Sequence, residues 1–152
     1  MTEAVIFDID GVLVDSPHER AWGDVLDQLI HTQWMDIAPS TRYGSVRYTT
    51  EVYQQVVSGK PRQEGAKALL HYFGIPDPDG ERARQLCDLK QAMIVRLIER
   101  GEFHAFEDGL RFALALKARG VRLAAASSSK NANRMLERVL LQPICEGRSL
   151  HY

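Results

Sequence analysis

The chain has 152 residues, enough for one domain or one domain with a small insertion, and its 45% hydrophobic and 26% charged content is ordinary for a globular fold, which sets aside disordered and fibrous classes. Lys plus Arg number 19 against 20 Asp plus Glu, and the formal net charge of -1 argues against a nucleic-acid partner or a membrane-surface role. Cys87 and Cys145 lie outside any C-x-x-C pattern, and His18, His31, His71, His104 and His151 lack metal-ligand spacing, so neither a disulfide framework nor a zinc site is expected. In chain order, Ala4-Val5-Ile6-Phe7 is a short run rich in β-branched and aromatic residues that ends in Asp-Ile-Asp-Gly. It predicts a buried strand, and its apolar character on both faces suits a parallel sheet covered by helices.

A long helical stretch follows. Ala21, Trp22, Val25, Leu26, Leu29 and Ile30 form one apolar stripe. Gln63 to Phe73 forms a second through Ala66, Leu69, Leu70 and Phe73, stopped by Gly74 and Pro76, and Glu81 to Arg100 a third through Leu86, Met93, Ile94, Leu97 and Ile98. No strand is evident here. A helix over 110–119 then closes on Gly120, a second strand covers Val121 to Ala126, a Ser-rich turn follows, and a helix runs from about Ala132 to Leu141. The economical reading is a helical cap inserted into an α/β core, with the core at 1–15 and 103–152 and the cap at 16–102. No apolar run approaches the roughly 20 residues of a membrane span. The start lacks the layout of a signal peptide, so a reducing cytosol is the default location.

Three constellations can carry chemistry. Period-2 geometry points Asp8 and Asp10 to one side of a strand end, the usual ligand crevice of an open α/β sheet. Paired carboxylates there suit Mg²⁺, and one can attack phosphorus while the other moves a proton. A solvated Asp-Gly turn is the plain alternative for so short a pattern. Ser127-Ser128-Ser129-Lys130-Asn131 joins a strand end to a helix start and can cradle a phosphate, although N-capping by Ser or Asn explains the same residues. Lys90 interrupts the apolar stripe of the third helix; taken alone, a lysine snorkelling from the stripe's edge is the simpler reading. Gly59-Lys60-Pro61-Arg62 is a basic turn before a helix.

Together these residues resemble the haloacid dehalogenase superfamily of phosphoryl-transfer enzymes. Its first motif, D-x-D-G-[VT]-[LI]-x-D-[ST], is matched by Asp8-Ile9-Asp10-Gly11-Val12-Leu13-Val14-Asp15-Ser16, and its second by Ser127 at the end of an apolar strand. The β-phosphoglucomutase-like branch is the closer likeness. Its A-S-x-S-K-N stretch is matched by Ala126 to Asn131, its cap G-x-x-R turn by Gly59 to Arg62, its cap lysine by Lys90 and its hinge histidine by His18. The stretch from about Ile30 to Val46 is the least comparable. The resemblance implies a Rossmann-like parallel sheet with an inserted helical cap. It implies Asp8 as the nucleophile that forms an aspartyl-phosphate, Asp10 as general acid/base, and Mg²⁺ on Asp8 and the Asp10 carbonyl. Ser127 and Ser128 would hold the transferring phosphoryl. Gly59, Lys60, Arg62, Ser129, Lys130 and Asn131 would bind a sugar phosphate, and His18 with Lys90 would couple cap closure to substrate.

The implied activity is conversion of β-glucose 1-phosphate to glucose 6-phosphate by a monomeric cytoplasmic enzyme. A small-metabolite phosphatase of the same superfamily and a non-catalytic phosphosugar-binding relative are the alternatives. The family's third motif, a Lys or Arg beside the phosphate, and its fourth, an acidic pair at the metal, are not met by Tyr152. The 152 residues are therefore expected to form a truncated core that turns over little substrate and self-associates through an exposed sheet edge.

Overall fold

In a computed structural model of the chain, residues 4–147 are described; His151 lies outside them. The chain divides into two compact units, one formed by Met1–Pro17 with Leu97–Tyr152 and the other by His18–Arg96.

The first unit is α/β. Strand β1 (Ala4–Asp8) pairs in parallel with β4 (Arg122–Ala126), in register from Ala4 opposite Arg122 to Asp8 opposite Ala126. Helix α5 (Glu107–Ala118) precedes β4, and Gly120 at φ 79° turns the chain in the left-handed region that glycine adopts without penalty. The ring of Phe112 on α5 meets that of Phe7 edge to face, with centroids 6.1 Å apart. Two further strands, β2 (Val14–Asp15) and β3 (His104–Ala105), pair antiparallel. They fall in the stretch where the sequence showed no strand, because two residues are too few to display an alternation.

Two expectations for this unit are corrected. The helix expected from about 132 to 141 stops early, at Leu136 (α6, Ala132–Leu136), and a separate α7 (Gln142–Cys145) follows. Pro143 sits in the first turn of α7, where its missing N–H would have had no partner within the helix. The sheet is also not covered on both faces among the described residues: Phe7 is buried, but Ile6 is 71% exposed and β4 has no buried residue.

The second unit is helical. Helix α1 (His18–His31) buries all six residues of its predicted stripe. A 3-10 turn (Ala38–Ser40), a short α2 (Thr50–Val52) and a π-helical turn (Tyr53–Val57) lead to α3 (Arg62–Phe73) and α4 (Glu81–Glu99). Gly74, at φ 67°, ends α3 as the sequence predicts. Asp77 opens α4: its carboxylate oxygens accept from Arg82 N at 2.8 Å and Ala83 N at 3.2 Å. Trp22, Leu26, Leu29, Leu69, Leu70, Phe73 and Leu86 belong to one buried cluster of this unit. The loop after α1 is tied to α3 by Arg42, whose N–H donates to the Phe73 carbonyl at 2.8 Å and whose guanidinium donates to the Tyr72 carbonyl. No helix among the described residues is long and apolar enough to cross a membrane.

Candidate functional site

In the α/β unit the parallel register decides which residues meet. With Asp8 opposite Ala126, the chain leaves β1 at Ile9-Asp10 and β4 at Ser127, side by side. Ser127 Oγ donates to Asp10 Oδ2 at 2.8 Å across a separation of 117 positions. The same Oγ accepts from Ser129 N at 2.9 Å, and Ser129 Oγ accepts from Asn131 N at 3.2 Å. Asn131 occupies the N-cap position of α6 without a side-chain capping bond and is 3% exposed. The serines thus close successive turns ahead of the helix and do not cap it. Ser128 and Lys130 are exposed.

Strand pairing ends at Asp8, so alternation along a strand is not what orients Asp10. Asp10 is held by a bridge to Val14, within a tight loop in which the Ile9 carbonyl accepts from Leu13 N at 2.9 Å and Val14 N at 3.0 Å. Gly11, at φ 83°, makes that reversal, and its N–H donates to the Val14 carbonyl at 2.8 Å. The Asp8 side chain is exposed at the strand end, and its Oδ1 accepts from Ile9 N at 2.8 Å.

The oxygens on offer to a metal are the Asp8 carboxylate and the oxygens of Asp10. Hard oxygens are the right chemistry for Mg²⁺, which is commonly held by one or two carboxylates with substrate phosphate and water filling the other positions. Among the described residues no group of three or more His, Cys, Asp or Glu gathers as a metal cage. Asp8 and Asp10 therefore fit Mg²⁺ as part of an octahedron that a phosphate must help complete.

In the helical unit His18 and Lys90 are brought together. Lys90 Nζ lies 3.0 Å from His18 Nδ1 and 5.2 Å from the centre of the Trp22 ring. Between an ammonium and an imidazole nitrogen, the ammonium donates and the ring nitrogen accepts. Lys90 is 4% exposed, which corrects the simpler reading of a lysine reaching solvent from the stripe's edge. A cation over an indole and against an imidazole is partnered well enough to stay inside. One turn earlier on α4, Cys87 Sγ lies 3.6 Å from the Arg62 carbonyl, and burial raises its thiol pKa. Gly65 packs against Val57 and Trp22.

Gly59, at φ 77°, turns the chain into Lys60-Pro61-Arg62, and Lys60 Nζ donates to the Val56 carbonyl at 2.7 Å. Arg62 is the first residue of α3. Trp22 was legible only as a core residue. Its spacing of four from His18, on one helix face, was the available signal that it belongs beside Lys90.

No protein-family model matches the chain. The β-phosphoglucomutases of Mycobacterium bovis and Mycobacterium tuberculosis are each 30% identical to it over 144 residues, covering 88% of this chain and 53% of theirs. The chain thus spans about half the length of the curated relatives it matches. An archaeal β-phosphoglucomutase from Pyrococcus sp. strain ST 04 superposes with a TM-score of 0.66 and 28% identity, over 90% of this chain and 57% of that one. The likeness is to the β-phosphoglucomutase-like branch of the haloacid dehalogenase superfamily. CbbY from Rhodobacter sphaeroides, solved in complex with phosphate, shares the fold at a TM-score of 0.62 and 21% identity, covering 90% of this chain and 56% of its own. The β-phosphoglucomutase-like fold accounts for the two-strand parallel core, with motif one leaving β1 and motif two leaving β4.

Proposed function

We propose that the chain belongs to a phosphoryl-transfer enzyme acting on a sugar phosphate, with conversion of β-glucose 1-phosphate to glucose 6-phosphate as its reaction. The observation that carries this reading is the meeting of Asp10 with Ser127. It joins the two motif segments by which the sequence resembles mutases and phosphatases alike; the 30% identity to β-phosphoglucomutases favours the mutase.

In this reading the exposed Asp8 carboxylate attacks phosphorus and is converted to an aspartyl-phosphate. Asp10 gives a proton to the leaving oxygen and takes one from the accepting hydroxyl. The Ser127 hydroxyl and the turn at Ser128 hold the phosphoryl oxygens. Phosphoryl transfer needs mainly positioning and charge neutralisation, so few groups suffice. Mg²⁺, held by the Asp8 carboxylate and the Asp10 carbonyl, would neutralise phosphoryl charge when bound. Ser129, Lys130 and Asn131, with Gly59, Lys60 and Arg62 of the helical unit, are assigned to the sugar phosphate. His18 and Lys90 are assigned to coupling the helical unit's movement to substrate, a role supported by their 3.0 Å contact. The reading includes a cytoplasmic setting and self-association of this chain.

Incubation with acetyl phosphate and Mg²⁺, followed by peptide mass spectrometry, tests the assignment in a single turnover. A phosphoryl adduct is expected on the peptide containing Asp8 and is expected to vanish in Asp8→Asn. An equal adduct in that variant would remove Asp8 from the chemistry. A coupled glucose 6-phosphate assay separates mutase from phosphatase action.

A further inference from the structure

Lys90 stands where charge is costly. It is 4% exposed, and taking an ammonium out of water disfavours its charged form. Two residues on one face of α1, a helical turn apart, meet it: His18, whose Nδ1 lies 3.0 Å from Nζ, and Trp22, whose ring centre lies 5.2 Å from Nζ. The two contacts differ in kind. A neutral amine also donates to an imidazole nitrogen, so the His18 contact does not by itself require a charged lysine. The negative face of an indole attracts the cation and has no comparable hold on the amine. The contacts also differ in firmness. His18 opens α1 and is half-buried. Trp22 lies one turn inside, is 4% exposed, and packs so closely on α3 that a Cβ on Gly65 would stand 3.7 Å from its Cζ2. The packed ring is a fixed partner for a long, flexible side chain.

We propose that Trp22 is a positioning residue for Lys90: its indole face keeps the buried side chain charged and aimed at His18. The proposal rests on the reading of Lys90 as a residue that couples the helical unit to substrate, and it names what fits Lys90 for that work. Coupling to an anionic substrate needs a cation that is present before the substrate arrives and that points one way. The indole meets both needs through its electrons, so the role belongs to the charge distribution of the ring as well as to its volume.

The test therefore varies the electrons of the ring and leaves its shape, so that every other contact of Lys90 stays constant. Fluorine is close to hydrogen in size and drains density from an aromatic face, so fluorinated tryptophans placed at position 22 weaken the hold on a cation step by step. The readout is the pH titration of the Lys90 ¹³Cε resonance in the 152-residue chain. The ionisable groups near Lys90 are the same throughout the series: His18 on α1, Cys87 one turn back on α4, and Arg62 at the start of α3, whose charge acts with that of Lys90 on the Cys87 thiol.

The titration midpoint is expected to fall with each added fluorine, by about one pH unit in all for the tetrafluorinated ring, the size of a desolvated cation–π contact. The same analogues at Trp34, which is buried in the same cluster and donates to Gln85 of α4, are expected to leave the midpoint in place. A midpoint that ignores fluorine at position 22, or that moves equally from position 34, would overturn the proposal. The reading of Lys90 itself is tested apart. Lys90→Met is expected to weaken binding of β-glucose 1-phosphate in titration calorimetry; unchanged affinity would remove Lys90 from substrate coupling and leave its hold by Trp22 standing.

Discussion

Asp8, Asp10 and Ser127 are placed by backbone more than by side-chain packing. Parallel pairing carries Asp8 to the end of β1 opposite Ala126, and the tight loop closed on the Ile9 carbonyl brings Asp10 to the Ser127 hydroxyl. Arg62 is placed differently: Gly59 turns the chain, Pro61 fixes the entry, and the Arg62 carbonyl lies against Cys87 of α4. A guanidinium offers phosphate a planar fork that an ammonium cannot copy. On the proposed reading, Arg62→Ala is expected to lower kcat/KM for the sugar phosphate by about 10–100-fold, the size of a lost charged hydrogen-bonding contact. It is expected to leave phosphorylation by acetyl phosphate unchanged, and Arg62→Lys is expected to restore little. Equal loss with both phosphoryl donors, measured side by side, would move Arg62 out of the sugar-phosphate contact.

At the scale of elements, two close approaches hold segments in place. Helix α5 meets the motif-one loop at Gly109, where an added Cβ would lie 2.5 Å from the Val12 carbonyl oxygen, and Phe106 N donates to the Leu13 carbonyl at 2.9 Å. The obstacle is backbone, so a methyl group forces a shift of loop or helix. Gly109→Ala is expected to destabilise the chain by about 1–3 kcal/mol, read from the midpoint of urea unfolding, as overpacking does elsewhere.

In the helical unit the segment before α2 is strapped to α1. Tyr48 Oη donates to the Glu19 carbonyl at 3.0 Å, Thr50 Oγ1 donates to the Glu19 carboxylate at 2.7 Å, and the Tyr48 ring lies where a side chain on Gly23 would stand. Burial, followed by the Glu19 charge, pushes the Tyr48 phenol well above its ordinary pKa; burial and then Asp27 do the same to Tyr43. A raised folded-state pKa gives stability that is full below the unfolded value of about 10 and is lost as pH rises above it toward the folded value. The helical signal in far-ultraviolet circular dichroism is therefore expected to become easier to melt above about pH 10. Tyr48→Phe is expected to flatten that decline, and an unchanged slope would show that other groups carry it.

For the whole molecule the exposed apolar surface of the α/β unit matters most. Ile6 is 71% exposed on β1, Phe112 is 58% exposed on α5, and Leu140 is 69% exposed between α6 and α7. In the described structure β1 and β4 pair only with each other, so each presents an unpaired edge. The 152-residue chain is expected to sediment above its monomer mass at micromolar concentration, and Ile6→Lys to shift it toward monomer. A monomeric wild-type chain in analytical ultracentrifugation would contradict this. Free Mg²⁺ is expected to bind the 152 residues weakly and turnover of β-glucose 1-phosphate to stay near background, because among the described residues no group of three or more His, Cys, Asp or Glu gathers to hold the ion before a phosphate arrives. Micromolar Mg²⁺ affinity with brisk glucose 6-phosphate formation would refute that.

The sequence by itself determined the helices of the second unit and marked the residues proposed for the site. The apolar stripe of α1 is buried residue for residue, and Gly74 and Gly120 sit where the helices stop, because these features depend on local periodicity and local dihedral preference. Asp8, Asp10 and Ser127 were legible as motif residues for the same reason: a short spacing in sequence carries them. Tertiary structure decided the rest. It set the Asp10–Ser127 bond, because a pairing across 117 positions follows from strand register. It buried Lys90 beside His18 and under Trp22, because only the packing of α4 on α1 supplies partners that keep an ammonium inside. It left Ile6 bare, since a run that is apolar on both faces says what a strand can bury, while the elements packed around it fix what is buried.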